Sequence, residues 1–303
     1  MMRARVVVCG MVLSVACGVV WVTGQTAELA KAPDPIRLIV RADDMGSSHA
    51  ANVACIQACT AGIARSIEVM VPCPWFNEAV RMLREHPDID VGVHLTLTSE
   101  WGGVKWGPVT QAPSLVDAQG HFYPMTSQRE DFPPNTGFLQ CGYKLDEVEA
   151  ELRAQIELAR RHLPQLTHIT SHMGTPTCTP ALRAIVARLA AEYGLLYRIE
   201  GVRSAGGFGG STTTPPQKIA ALVAILEALE PGTSLFVDHP GLDTPEMRAI
   251  GHTGYEHVAA DRAGVTAAFT SREVKDVIRR RGIELVSYGD LKRQAEAHAA
   301  QDK

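Results

Sequence analysis

Arg37-Leu38-Ile39-Val40-Arg41-Ala42-Asp43-Asp44-Met45-Gly46 begins as an apolar, β-branched run and closes on two adjacent carboxylates and a glycine. The first half has the composition of a buried strand. Neighbouring carboxylates repel each other, so a strand that ends on two of them calls for a positive partner, and a metal cation is the simplest one. Successive side chains of an ideal strand point to opposite faces. Asp43 and Asp44 can therefore act together only where the chain bends, and Gly46 is the residue expected to allow the bend.

Working outward from this stretch, short strand-like runs alternate with longer helical ones. Strands are expected at about 36–42, 66–71, 90–97, 165–170, 195–199, 234–237 and 283–287. Helices are expected at about 48–60, 74–86, 144–162, 179–194, 216–229 and 271–281, with a further one opening at Thr244-Pro245. Phe76, Ala79, Val80 and Leu83 recur at helical spacing, as do Leu145, Val148, Leu152, Ile156 and Ala159. Asp146 and Glu149 have the spacing of a capping pair, while Thr179-Pro180 and Gly194 supply a helix start and stop. The alternation predicts an α/β fold, an incomplete or distorted TIM-like (β/α) barrel of about seven parallel strands, with no eighth strand legible.

The chain divides into a signal peptide at 1–27, a linker at 28–35, one domain at 36–295 with a loop insertion at about 99–143, and a tail at 296–303. Arg3 and Arg5 precede an uncharged run from Val6 to Val22, and small residues follow that suit cleavage near Ala27. Export to the periplasm or the extracellular space is therefore expected, without a stable membrane span after cleavage; the alternative is an anchor through the same segment. A net charge of −4 gives no reason to expect nucleic acid as a partner. The five cysteines beyond the signal are odd in number and scattered, which implies no disulfide framework.

Four places where an expected strand runs into a loop carry residues able to bind metal or move protons: Asp43-Asp44, His94, His172 and His239. In a barrel of parallel strands these ends converge on one mouth. Each histidine taken alone reads equally as a core or turn residue. Their coincidence at one end is the signal. Glu100 and Asp238 lie beside them in sequence and are candidate partners for metal-bound imidazoles. Trp101 and Trp106, in the 99–143 insertion, suit stacking on sugar faces if exposed, or pinning the loop to the core if buried.

The stretches Ala42–Gly46, Gly92–Leu97, Thr167–His172 and His239–Gly241, with the ending Gly282–Leu291, resemble the YdjC-like carbohydrate deacetylases, the group of chitooligosaccharide and hopanoid-related deacetylases. The resemblance spans about Arg37 to Leu291. It implies an incomplete barrel and metal-dependent removal of an N-acetyl group from a sugar. Asp44, His94 and His172 would be the metal ligands, Asp43 the catalytic base and His239 the general acid. Two imidazoles favour zinc, with magnesium or manganese as alternatives. The implied partner is an N-acetylated carbohydrate, and a homodimer is an alternative to the single chain. Many relatives carry an acid where this chain has Thr170, and a further His-x-His where it has Met173-Gly174-Thr175-Pro176; the lost carboxylate is expected to weaken orientation of a ligand. Two rival readings remain at this point: a non-catalytic carbohydrate-binding protein on the same scaffold, and a metal-dependent O-acetyl esterase.

Overall fold

The computed structural model describes residues 34–301; the expected signal segment and all but the last two residues of the linker lie outside them. In chain order the elements are β1 (Ile36–Met45), α1 (His49–Thr60), β2 (Ser66–Val69), α2 (Phe76–Arg84), β3 (Asp90–Leu95), α3 (Leu145–His162), β4 (Leu166–Ser171), α4 (Pro180–Tyr193), β5 (Arg203–Ser204), α5 (Pro215–Ala228), β6 (Gly232–Asp238), α6 (Pro245–Arg248), α7 (Val258–Thr270), α8 (Arg272–Arg281), β7 (Glu284–Leu285) and α9 (Tyr288–Gln301). The last helix runs through 296–301, where a tail was expected.

All strand pairs are parallel, in the order β4-β3-β2-β1-β6-β5. β7 joins the first part of β1, at Arg37 and Leu38, whereas β2 pairs from Arg41 onward. The sheet curls into a half-barrel rather than a closed one, because β4 and β5 end it without pairing to each other. Alternation along β1 builds two layers. Leu38, Val40 and Ala42 enter the main core with the helices, whereas Ile39 packs with Val286 and Tyr288 in a smaller cluster on the other face. Arg41 and Asp43 continue the Ile39 side.

Two expectations need correction, and one helix adds to them. The run 195–199 is not a strand: Leu196 makes one bridge to His168, and Leu196 and Ile199 then turn into the small cluster with Ile39. The seventh strand is the short β5 instead. Asp146 and Glu149 do not cap α3, whose flanking residue is Lys144; Glu149 binds Arg153 and Arg188. Finally, α7 was not foreseen at all.

The 99–143 insertion contains no strand or α-helix; it holds single turns at Pro113–Leu115 and Phe138–Gln140 and isolated bridges between Val116 and Phe122 and between Met125 and Gly137. Buried Glu151 of α3 nonetheless accepts from the backbone of Val109 and Thr110, and Gln155 bonds both backbone groups of Thr96. These bonds satisfy main-chain groups that no ladder serves. They tie the insertion down beside the end of β3.

Candidate metal centre

The bend at the end of β1 occurs at Asp44 itself, which has φ 72°, and the register against β2 shifts between Ala42 and Met45. A left-handed backbone at a residue other than glycine is uncommon; aspartate accepts it more readily than most, and such positions are enriched at functional sites. Ser47 holds the turn, its amide and hydroxyl donating to the Asp44 carbonyl at 3.2 and 2.7 Å. Gly46 has a different task. A Cβ there would lie 2.8 Å from the Met70 carbonyl oxygen, so glycine lets the turn pass close to the neighbouring chain.

The bend turns both carboxylates toward one imidazole. His94 Nε2 lies 3.7 Å from Asp43 Oδ2 and 3.6 Å from Asp44 Oδ1. His172, just beyond β4, brings Nδ1 to 3.3 Å from Asp44 Oδ1, and its Nε2 is 3.0 Å from Glu100 Oε2. One ligand atom each from Asp44, His94 and His172 falls within 4.8 Å of the others, and all three residues are buried. Asp44 Oδ1 has no hydrogen-bond partner among the described residues. With zinc–ligand bonds of about 2.0–2.1 Å, a tetrahedral site holds its ligand atoms roughly 3.3 Å apart. An unpaired buried oxygen facing two imidazole nitrogens at such spacing fits a divalent cation, and three protein ligands leave a position open.

The electrostatics agree with that fit. Burial opposes charge on Asp44, yet His239, Arg262 and His172 hold its carboxyl well below the usual carboxylate range. Burial also opposes charge on His172, but Glu100 and Asp44 outweigh it and raise the imidazole to about 10. In the metal-free site a proton supplies the positive charge the two acids demand. His94 is the opposite case: burial lowers it to about 4, so its ring stays neutral and able to ligate.

Asp43 is held by Arg41, whose Nη1 also reaches the Tyr288 hydroxyl at 3.1 Å. His239 follows β6 at the same mouth, half-exposed, with Asp238 Oδ1 accepting from its backbone amide at 2.7 Å and 3.4 Å from its Nδ1. Burial opposes its charge too, but Asp44 and Asp238 raise it above the ordinary imidazole value. Glu100 lies against His172, whereas Asp238 lies against His239.

Trp101 and Trp106 do not present faces to a sugar: they are 1% and 3% exposed. Trp106 Nε1 donates to the Thr98 carbonyl at 2.8 Å, and Trp101 lies under the Arg262 guanidinium at 4.8 Å. They pin the insertion and wall the centre. Thr170 does not leave His94 unsupported either, since its hydroxyl lies 2.7 Å from His94 Nδ1.

Sequence reasoning missed three charged residues. Arg41 shares the opening stretch, Glu68 is an acid inside the apolar run Ser66-Ile67-Glu68-Val69, and Arg262 lies on the unforeseen α7. Arg262 Nη2 donates to Asp44 Oδ2 at 2.7 Å. The same helix anchors the His239-Pro240-Gly241 turn, for Thr266 Oγ1 bonds the amide and the carbonyl of Gly241.

Residues 37–280 match the family described as YdjC-like protein. The chain belongs to the YdjC-like family. A carbohydrate deacetylase of Brevibacillus brevis is 28% identical to this YdjC-like chain over 277 residues, covering 84% of it and 100% of the relative. A carbohydrate deacetylase of Thermus thermophilus is 32% identical over 239 residues, 70% of this chain and 80% of that one. Among solved structures, a provisionally named cellobiose-phosphate cleavage protein of Enterococcus faecalis V583 superposes with a TM-score of 0.66 over 85% of this chain and 99% of its own, at 24% identity. That likeness supports the YdjC-like fold.

Proposed function

We propose that the chain is a metal-dependent hydrolase that removes acetyl groups from N-acetylated sugars. One observation carries the reading: the unpaired, buried Asp44 Oδ1 faces His94 and His172 with Asp43 alongside. It sits in a chain whose relatives are named carbohydrate deacetylases. Asp44, His94 and His172 would hold the ion, with zinc favoured over magnesium or manganese by the two imidazoles. When bound, such an ion polarises an acyl carbonyl and lowers the pKa of water.

The protein's own groups then handle the protons. Asp43 accepts the proton of the attacking water as the new C–O bond forms; Arg41 fixes its orientation, and each carboxylate oxygen keeps a further lone pair for the task. His239, drawn toward its charged form, donates to the sugar nitrogen as the C–N bond breaks. Acetate and a free amine leave. In this reading residues 1–27 direct the enzyme out of the cytoplasm.

The test is acetate release from N-acetylated oligosaccharides and peptidoglycan fragments by zinc-loaded protein. Asp43→Asn should abolish release while leaving zinc binding nearly intact, and unchanged release would overturn the assignment of the base. Acetate from O-acetylated sugars alone would identify an esterase. Sugar affinity without any acetate would identify a binding protein.

A further inference from the structure

A chain of hydrogen bonds leaves the metal centre through the half-barrel and ends on a carboxylate that the chemistry above does not use. Thr170 on β4 lies opposite His94 on β3 in the sheet register. Its Oγ1 is 2.7 Å from His94 Nδ1, and on its other side the same hydroxyl donates to Glu68 Oε2 at 2.5 Å. Glu68 is wholly buried on β2. Its second oxygen is 2.5 Å from His168 Nε2 and 3.9 Å from Arg41 Nε, neighbours that favour its ionised form. His168 is fixed in turn: it stacks on Tyr288 with centroids 3.9 Å apart and planes 12° from parallel.

The sheet is shaped to let this carboxylate in. Gly92 sits beside it in register, and a Cβ there would lie 2.3 Å from Glu68 Oε2 and 2.5 Å from His168 Nε2. Any side chain at position 92 would displace Glu68.

Counting protons gives the chain a direction. A hydroxyl has one hydrogen and an ionised carboxylate only accepts, so Thr170 gives its hydrogen to Glu68 and accepts from His94. Nδ1 of His94 then carries the ring hydrogen, and Nε2 presents a bare lone pair toward Asp44 Oδ1, 3.6 Å away. We propose that Glu68 is a positioning residue for the metal centre, acting through the Thr170 hydroxyl to fix the tautomer and aim of His94. The arrangement is a carboxylate–imidazole–metal relay with a hydroxyl inserted between the first two members. It rests on the reading of Asp44, His94 and His172 as the ligand set.

The experiment combines zinc titration calorimetry with nitrogen NMR of histidine-labelled full chain. Thr170→Val and Glu68→Gln should each weaken zinc binding about 10–100-fold, the range typical of lost ligand-orienting partners. The double variant should lose no more than the worse single one, and Thr170→Ser should restore affinity. Unmodified protein without metal should show His94 protonated on Nδ1. Wild-type zinc affinity in Thr170→Val, or a ring hydrogen on Nε2, would overturn the inference. Should the valine variant fail to fold, the tautomer of the unmodified chain decides alone. If unmodified protein binds no zinc, the metal reading falls, while that tautomer still tells whether Glu68 orients the ring.

Discussion

Arg41 clasps both oxygens of Asp43, its Nε 2.7 Å from Oδ1 and its Nη2 2.8 Å from Oδ2. Two residues apart on one strand, they share a face, and the planar fork of the guanidinium matches the carboxylate. Arg41→Gln frees the Asp43 carboxylate to rotate. The expected outcome is a fall in kcat of about 10–100-fold, or roughly 1.4–2.7 kcal/mol, with zinc affinity almost unchanged. Steady-state kinetics and calorimetry check it, and a loss of zinc binding with intact turnover would contradict it.

His172 predicts a pH dependence. Its imidazole is held up to about 10 by Glu100 and Asp44 against burial, so at neutral pH an incoming cation must displace a proton. Zinc affinity should therefore rise with pH up to about 10, with about one proton released per ion at pH 8. Calorimetry in two buffers of different ionisation heat measures that proton, and identical heats would count against it. For folding without metal the sign is reversed. Because the folded value is raised, this stabilising contribution is complete below the ordinary imidazole range and is lost as pH climbs through about 10.

Arg262 compensates Asp44 from α7, with a 2.7 Å bond between two buried groups. Arg262→Met keeps an apolar stem over Trp101 but takes from the carboxylate the cation that bonds Oδ2, leaving the protonated His172 on its Oδ1 side. Metal-free protein should lose about 3–5 kcal/mol in urea unfolding. Saturating zinc should return more stability to the variant than to the unmodified chain, because the ion takes over the missing charge. Equal gains in the two proteins would refute this account.

Trp106 and Trp101 should behave as structural residues. Trp106→Phe removes the bond to Thr98 and should cost about 1 kcal/mol. Trp101→Ala should cost about 3–5 kcal/mol. KM for an oligosaccharide should stay near its original value in Trp106→Phe, and a large rise with unchanged stability would restore the stacking role.

Much of this molecule was legible from its residues. The β-branched runs ending in Asp43-Asp44, His94 and His172 are buried strands, and a parallel sheet brings their ends together whatever lies between them. The unread parts share a physical cause. Helix α7 is rich in Ala and buries residues around much of its circumference, so it lacks the contrast between faces that marks a helix. Arg262 went unread with it. Glu68 and Arg41 lie on strands that looked apolar, and their partners, His168 and Tyr288, come from distant segments. Residues 195–199 have strand composition, but the gap in the half-barrel gives them almost no neighbour to pair with.

Two demands meet at position 44. The left-handed turn there is tolerated by glycine, asparagine and aspartate, and resisted by residues with bulkier or branched side chains. A cation asks for an anionic oxygen on a short arm. Glutamate supplies the anionic oxygen but on a longer arm and with a bulkier side chain at the turn; glycine and asparagine accept the turn but carry no anionic oxygen. Aspartate meets both, so if Asp44 holds an ion as proposed, no exchange at this position can spare the backbone and the chemistry together.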